Sequence, residues 1–225
     1  MTEFRKADAS RRQFIKIASL ATGVAAVAQS PLAWGRSAAG KLLPYAPKTL
    51  TEIELATLKA VMARLIPADA SSGGAVEARA YAYVDIALAS TYAAQLPVYR
   101  QGLAALASLA KAGGAASATA LPAKDLDALL TRLEAGGVTE SISDAAKQNL
   151  SFADGGKSFF AMLRQHTVEG TFSDPMYGGN QNFVGWRIIA YPGVQYVYSK
   201  AALAINAKVK YANHSIGDFG GKPLL

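Results

Sequence analysis

Apolar side chains recur at intervals of three and four residues along most of this chain, and no other feature constrains its fold as strongly. This spacing places them on one face of an α-helix, whereas the alternation typical of strands is rare. Five segments show the helical pattern, at about residues 52–66, 76–88, 97–109, 123–135 and 157–169. We therefore predict an all-α fold, with a single helical domain over residues 49–225.

Local signals mark where several of these helices begin and end. Thr51 and Glu54 have the spacing of a capping box, and Pro67 is expected to stop the first helix. Gly136 and Gly170 are expected to end the fourth and fifth helices, because glycine favours the position that follows a helix.

The region from Thr171 to Gly193 has no helical period and is dense in Gly, Pro and aromatic residues. We name residues 174–191 the signature loop. Its candidate structural and interface residues are Asp174, Pro175, Tyr177, Gly178, Gly179, Asn180, Trp186 and Tyr191. A long loop of this composition is either a rigid structural plug or a surface that binds a partner. Beyond it, residues 196–200 are expected to begin a short helix or strand, and residues 213–225 to form a flexible tail.

The basic N-terminus predicts export. Residues 1–28 carry five basic and two acidic side chains, and an uncharged stretch of twelve residues, Ile17–Ala28, closes this segment. The pattern S-R-R-x-F-x-K, typical of twin-arginine export signals, is formed by Ser10, Arg11, Arg12, Phe14 and Lys16. We expect a signal peptide at residues 1–28 and a linker at residues 29–48. The apolar stretch is shorter than the roughly 20 residues that span a bilayer, so an uncleaved membrane anchor is the weaker alternative.

Several classes of site are excluded by composition and by missing motifs. The chain has no cysteine, which rules out thiolate zinc sites, iron–sulfur clusters and covalent c-type haem. No motif for a dinucleotide, a nucleoside triphosphate, a zinc protease or a serine hydrolase is present. The formal net charge is +7, but the basic residues beyond the N-terminus are scattered, so no nucleic-acid partner is expected.

The clearest pair of titratable side chains is His166 and Glu169, three residues apart on the fifth predicted helix. They could serve as an acid and a base, which would make this chain a stand-alone exported enzyme. A metal site would need further ligands, which the sequence does not supply nearby. The alternative is a histidine at the helix end that bonds to the following loop.

Four motifs carry a family resemblance. They are R-Q-H-T-x-E-G at residues 164–170, D-P-x-Y-G-G-N at residues 174–180, G-W at residues 185–186 and Y-P-G at residues 191–193. Together with the leader at Ser10–Lys16 and the R-L-I-P-A-D segment at residues 64–69, they resemble the gluconate 2-dehydrogenase subunit 3 family. Its members are small subunits of periplasmic FAD-dependent sugar and polyol dehydrogenases.

This resemblance implies a non-catalytic subunit that holds no cofactor and no metal. The FAD would belong to a partner flavoprotein of the glucose-methanol-choline oxidoreductase type, and a cytochrome c subunit often completes such complexes. The small subunit would bind the flavoprotein and direct its folded export through the twin-arginine translocase. It would then reside in the periplasm, membrane-associated through the complex. We expect the signature loop, with His166 and Glu169, to serve both the fold and the interface.

Overall fold

The computed structural model describes residues 44–138, 154, 156–195 and 213–219. These residues form six α-helices and no β-strand, which confirms the predicted all-α fold. The helices are α1 (Glu52–Leu65), α2 (Ala80–Leu88), α3 (Leu96–Ala112), α4 (Ala123–Glu134), α5 (Lys157–Phe172) and α6 (Val184–Ile188). Short 3₁₀-helices lie at Ala93–Gln95, Ala118–Ala120, Pro175–Tyr177, Gln181–Phe183 and Ile216–Phe219. The predicted signal peptide, most of the linker and the predicted element at residues 196–200 lie outside the described residues.

The apolar stripes of α1 to α5 meet in one core. Helix α5 packs against α1, α2, α3 and α4, and its longest contact is with α2. Among the fully buried side chains of this core are Leu58 and Met62 of α1, Leu106 of α3, Leu133 of α4 and Leu163 of α5. Helix α5 is therefore the central element, and both predicted chemistry-bearing residues lie on it.

The first helix follows its local signals closely. The Thr51 hydroxyl accepts from the Glu54 backbone N–H, and the Glu54 carboxylate accepts from the Thr51 N–H, so the predicted capping box is confirmed. The helix ends at Leu65, before Pro67. The carboxylate of Asp127 on α4 accepts two hydrogen bonds from Arg64, at 2.6 and 2.7 Å, and thereby joins the end of α1 to α4.

Helix α2 begins at Ala80, four residues later than the sequence pattern predicts. Residues 75–79 form turns instead, and Arg79 has a left-handed backbone with φ of 56°. Val76 continues the apolar spacing of the helix, so the sequence pattern alone placed the start of the helix too early.

Gly170 does not end the fifth helix, as the sequence predicts, because α5 continues to Phe172. A Cβ on Gly170 would lie 2.7 Å from the carbonyl oxygen of Ala80, well inside van der Waals contact. The glycine is thus an interior residue that lets the backbones of α5 and α2 approach closely.

The segment before α1 is fixed to the domain by one buried carboxylate. Asp85 on α2 is fully buried and accepts four hydrogen bonds of 2.6–3.0 Å. The donors are the Tyr45 hydroxyl and the backbone N–H groups of Lys48, Thr49 and Leu50. The final residues of the predicted linker therefore lie against the helical domain.

Candidate functional site

His166 lies inside α5, between two tyrosine rings. Its ring is parallel to that of Tyr92 with centroids 4.4 Å apart, and parallel to that of Tyr99 at 5.7 Å. The Tyr99 hydroxyl lies 2.8 Å from Nδ1 of His166. Burial lowers the pKa of His166, and the nearby Glu169 carboxylate offsets this only in part. A neutral imidazole in a stacked, hydrogen-bonded position follows from these contacts.

This geometry differs from the predicted histidine at a helix end that bonds to the next loop. Because α5 extends six residues beyond it, His166 is a helix-interior residue, and its hydrogen bond goes to α3 instead. The side chain is only 2% exposed, so it does not reach a surface where a substrate could bind. The described residues also contain no cluster of three or more His, Asp or Glu side chains that could hold a metal ion.

Glu169, one turn later on α5, accepts hydrogen bonds from three neutral donors. The Tyr92 and Tyr83 hydroxyls lie 2.8 and 3.1 Å from Oε2, and the Gln165 amide lies 2.9 Å from Oε1. Partial burial would raise the pKa of Glu169, but these hydrogen bonds and His166 outweigh it and hold the pKa below its usual value. The carboxylate is therefore ionised at neutral pH.

Glu169 lines a groove between α2 and α5, which we name the Glu169 groove. Its volume is about 560 Å³ and its walls are mostly apolar. Val168, Met176 and Tyr177 at this groove are unusually exposed for large apolar residues, at 45%, 42% and 52%. The groove is lined by Tyr83, Ile86, Ala87, Ser90, Thr91, Val168, Glu169, Phe172, Ser173, Met176 and Tyr177.

The signature loop is built around Asn180, whose side chain is fully buried. Its Oδ1 accepts from the Gly185 backbone N–H at 2.8 Å, and its Nδ2 donates to the Ser173 carbonyl at 2.8 Å. Its own backbone N–H donates to the Gly170 carbonyl on α5. Asn180 therefore joins Gly185, and with it the start of α6, to the end of the central helix.

Aromatic contacts and a glycine with a positive φ complete the loop. Trp186 is buried, donates from Nε1 to the Phe172 carbonyl at 2.8 Å and meets the Tyr191 ring edge-on at 4.9 Å. Gly178 has a φ of 96°, which L side chains rarely adopt. Within the predicted loop, residues 184–188 are helical and form α6, which the sequence pattern did not indicate.

Asp174 joins the signature loop to the C-terminal region. Its side chain accepts from the Met176 backbone N–H, which caps the 3₁₀-helix that begins at Pro175. It also accepts from the Ser215 hydroxyl at 2.5 Å and from the Ile216 N–H at 2.8 Å. Residues 213–219 were predicted to be part of a flexible tail, but they contain a 3₁₀-helix and are joined to the loop because Asp174 binds them.

The structure thus divides the predicted site residues by burial into three groups. Those buried in the scaffold are His166, Asp174, Gly178, Gly179, Asn180 and Trp186. Tyr177 and Tyr191 are exposed, whereas Pro175 and Glu169 are half-buried. The export-signal residues lie outside the described part, and no described helix has the length and hydropathy needed to cross a membrane.

Sequence reasoning missed the tyrosines that surround His166 and Glu169. Tyr83, Tyr92 and Tyr99 lie 67 to 86 residues away in the chain, so no local pattern connects them with these two residues. It also missed Asp85, although a lone carboxylate among the apolar residues of α2 is a signal, since such a group needs buried partners.

Comparison with known proteins identifies the family. The sequence model of the family described as gluconate 2-dehydrogenase subunit 3 matches residues 52–193, which is more than half of the chain and includes both α5 and the signature loop. No curated protein and no solved structure matches the chain significantly. The chain therefore belongs to the gluconate 2-dehydrogenase subunit 3 family, and is an accessory subunit of a dehydrogenase complex.

Proposed function

We propose that this member of the gluconate 2-dehydrogenase subunit 3 family is the non-catalytic small subunit of a periplasmic FAD-dependent sugar or polyol dehydrogenase. It binds the flavoprotein subunit and directs the export of that folded subunit through the twin-arginine pathway. FAD and substrate oxidation belong to the flavoprotein, and a cytochrome c subunit accepts the electrons in complexes that contain one.

One structural observation carries the binding part of this proposal. Val168, Met176 and Tyr177 are each more than 40% exposed and border the same groove. Large apolar side chains that lie together on a surface are typical of sites that contact another protein. Tyr177 and Met176 belong to the signature loop, whose buried residues hold this exposed part in place.

The contacts of His166 and Glu169 favour a structural role over catalysis. His166 is buried against Tyr99 and Tyr92, and the Glu169 carboxylate already accepts three hydrogen bonds. An acid or a base that acts on a substrate must reach the proton that it transfers. The rival hypothesis of a stand-alone enzyme predicts turnover by the purified chain, abolished by His166→Ala. We expect no turnover with sugars and an artificial electron acceptor.

Co-expression with the flavoprotein subunit tests the escort role. We expect active, flavin-loaded flavoprotein in the periplasm only when this chain is present. Flavoprotein that reaches the periplasm equally well without it would refute the role in export. Copurification of the two subunits, with flavin absorbance in the same fraction, tests binding separately.

A double substitution tests the export signal. Replacing Arg11 and Arg12 by Lys keeps the charge but removes the arginine pair, so we expect both subunits to remain in the cytoplasm. Arg5→Lys is the control, since it makes the same change outside the pattern and should not affect export. Mass determination of the periplasmic form then distinguishes cleavage after Ala28 from an uncleaved anchor.

A further inference from the structure

We propose that the Glu169 groove receives an apolar segment of the flavoprotein that carries a Lys or Arg side chain, and that this cation pairs with the Glu169 carboxylate. The inference rests on the proposed function and specifies the chemistry of the contact. It follows from the position of Glu169, the one acidic or basic side chain among the described residues that line this mostly apolar groove.

The carboxylate is held in place before any partner arrives. Tyr83 on α2, Tyr92 before α3 and Gln165 on α5 approach it from different parts of the fold. These three donors leave room for a further hydrogen bond, because a carboxylate has about four acceptor positions. A partner's cation would therefore meet an ordered acceptor, which reduces the entropy lost on binding.

Among the residues that the structure describes, the lining of the groove includes no Lys and no Arg, and the donors to Glu169 are neutral. A purely apolar occupant would remove water from the carboxylate without replacing it, which is unfavourable. An occupant with a cation beside its apolar side chains can pair with the carboxylate and also pack against the apolar walls of the groove.

The test measures the affinity of the full exported chain for the flavin-loaded flavoprotein. Glu169→Gln keeps the shape of the side chain and removes its charge, and we expect the Kd to rise about tenfold, as for the loss of a half-buried ion pair. Glu52→Gln, which neutralises an exposed glutamate of α1 outside the groove, should leave the Kd unchanged. Equal affinities of wild type and Glu169→Gln would overturn the proposal.

A positive charge added at the groove rim provides a second test. Val168→Lys places a cation beside Glu169, where it should repel the partner's cation and weaken binding more than Glu169→Gln does. Ile53→Lys makes a similar change at a side chain that is 76% exposed and lies outside the groove, and should bind normally. Thermal unfolding of each variant confirms that the fold is retained. Normal binding by Val168→Lys would contradict the proposal.

Photo-crosslinking identifies the occupant. With p-benzoylphenylalanine in place of Tyr177, we expect a crosslinked flavoprotein peptide that has Lys or Arg beside apolar residues. A crosslink to an acidic or uncharged peptide, to a second copy of this chain or to another class of molecule would overturn the inference. If wild type fails to bind the flavoprotein, the proposed function fails as well. If wild type binds and Glu169→Gln binds equally, only the groove assignment fails.

Discussion

Replacing Asp85 by Asn should destabilise the fold by about 3–5 kcal/mol, because it alters all four hydrogen bonds of a fully buried carboxylate. Asn retains one acceptor oxygen, so the bonds from Thr49 and Leu50 persist but lose their charge assistance, at a cost of about 1 kcal/mol each. The amide nitrogen cannot accept from Lys48, and a stranded N–H costs roughly 1–3 kcal/mol more. The Tyr45 hydroxyl can reorient to accept from the new amide.

Denaturant unfolding of the full chain, followed by circular dichroism at neutral pH, measures this free energy. Asp127→Asn is the matched control, because it makes the same change in a carboxylate that pairs with Arg64 near the surface. Exposed ion pairs contribute little, so the control should lose far less stability than Asp85→Asn. If the two variants unfold at the same denaturant concentration, the reasoning about burial is wrong.

Two further predictions concern α5. Gly170→Ala should lower the unfolding free energy by about 2 kcal/mol, because the backbone shift forced against Ala80 outweighs the gain in helix propensity. Gly113→Ala, whose Cβ would have no neighbour closer than 3.4 Å, is the control, and equal melting temperatures would contradict the prediction. The free energy of unfolding should also fall as the pH drops below about 6.5. Burial lowers the pKa of His166 in the folded chain, so on acidification this histidine is protonated first in the unfolded chain, which is thereby stabilised. The loss from this one group is at most about 1.4 kcal/mol per pH unit. Denaturant unfolding at several pH values should show that His166→Gln removes this loss of stability, whereas the control His214→Gln retains it.

Helix starts and apolar stripes could be predicted because their causes are local. The capping box of Thr51 depends on residues three positions apart, and the leucine stripe of α4 depends only on helical period. The error at Gly170 has a tertiary cause. A glycine that follows a helix and a glycine that permits a close helix contact look alike in sequence, and only the position of Ala80 distinguishes them at Gly170.

The candidate site was predictable only in part, for the same reason. His166 and Glu169 are neighbours on one helix, so their common location follows from spacing. Their roles depend on tyrosines from α2, from α3 and from the turn between them, and on whether the ring is buried. The sequence therefore identified the pair, but it did not reveal the burial that lowers the pKa of His166 or the three donors that hold the Glu169 carboxylate ionised.

The family motifs on α5 and in the signature loop contain mostly residues that build the scaffold. Thr167 donates to the Leu163 carbonyl within α5, and Gly170 makes the close helix contact and accepts from Asn180. Of the two residues that form the predicted acid–base pair on α5, Glu169 lines the groove, whereas His166 is buried. An apolar residue in place of Glu169 would leave the Tyr83 and Tyr92 hydroxyls without their acceptor, so the carboxylate serves the scaffold as well as lining the groove. Its three donors among the described residues are neutral, so the negative charge itself is what the proposed cation of the partner would pair with.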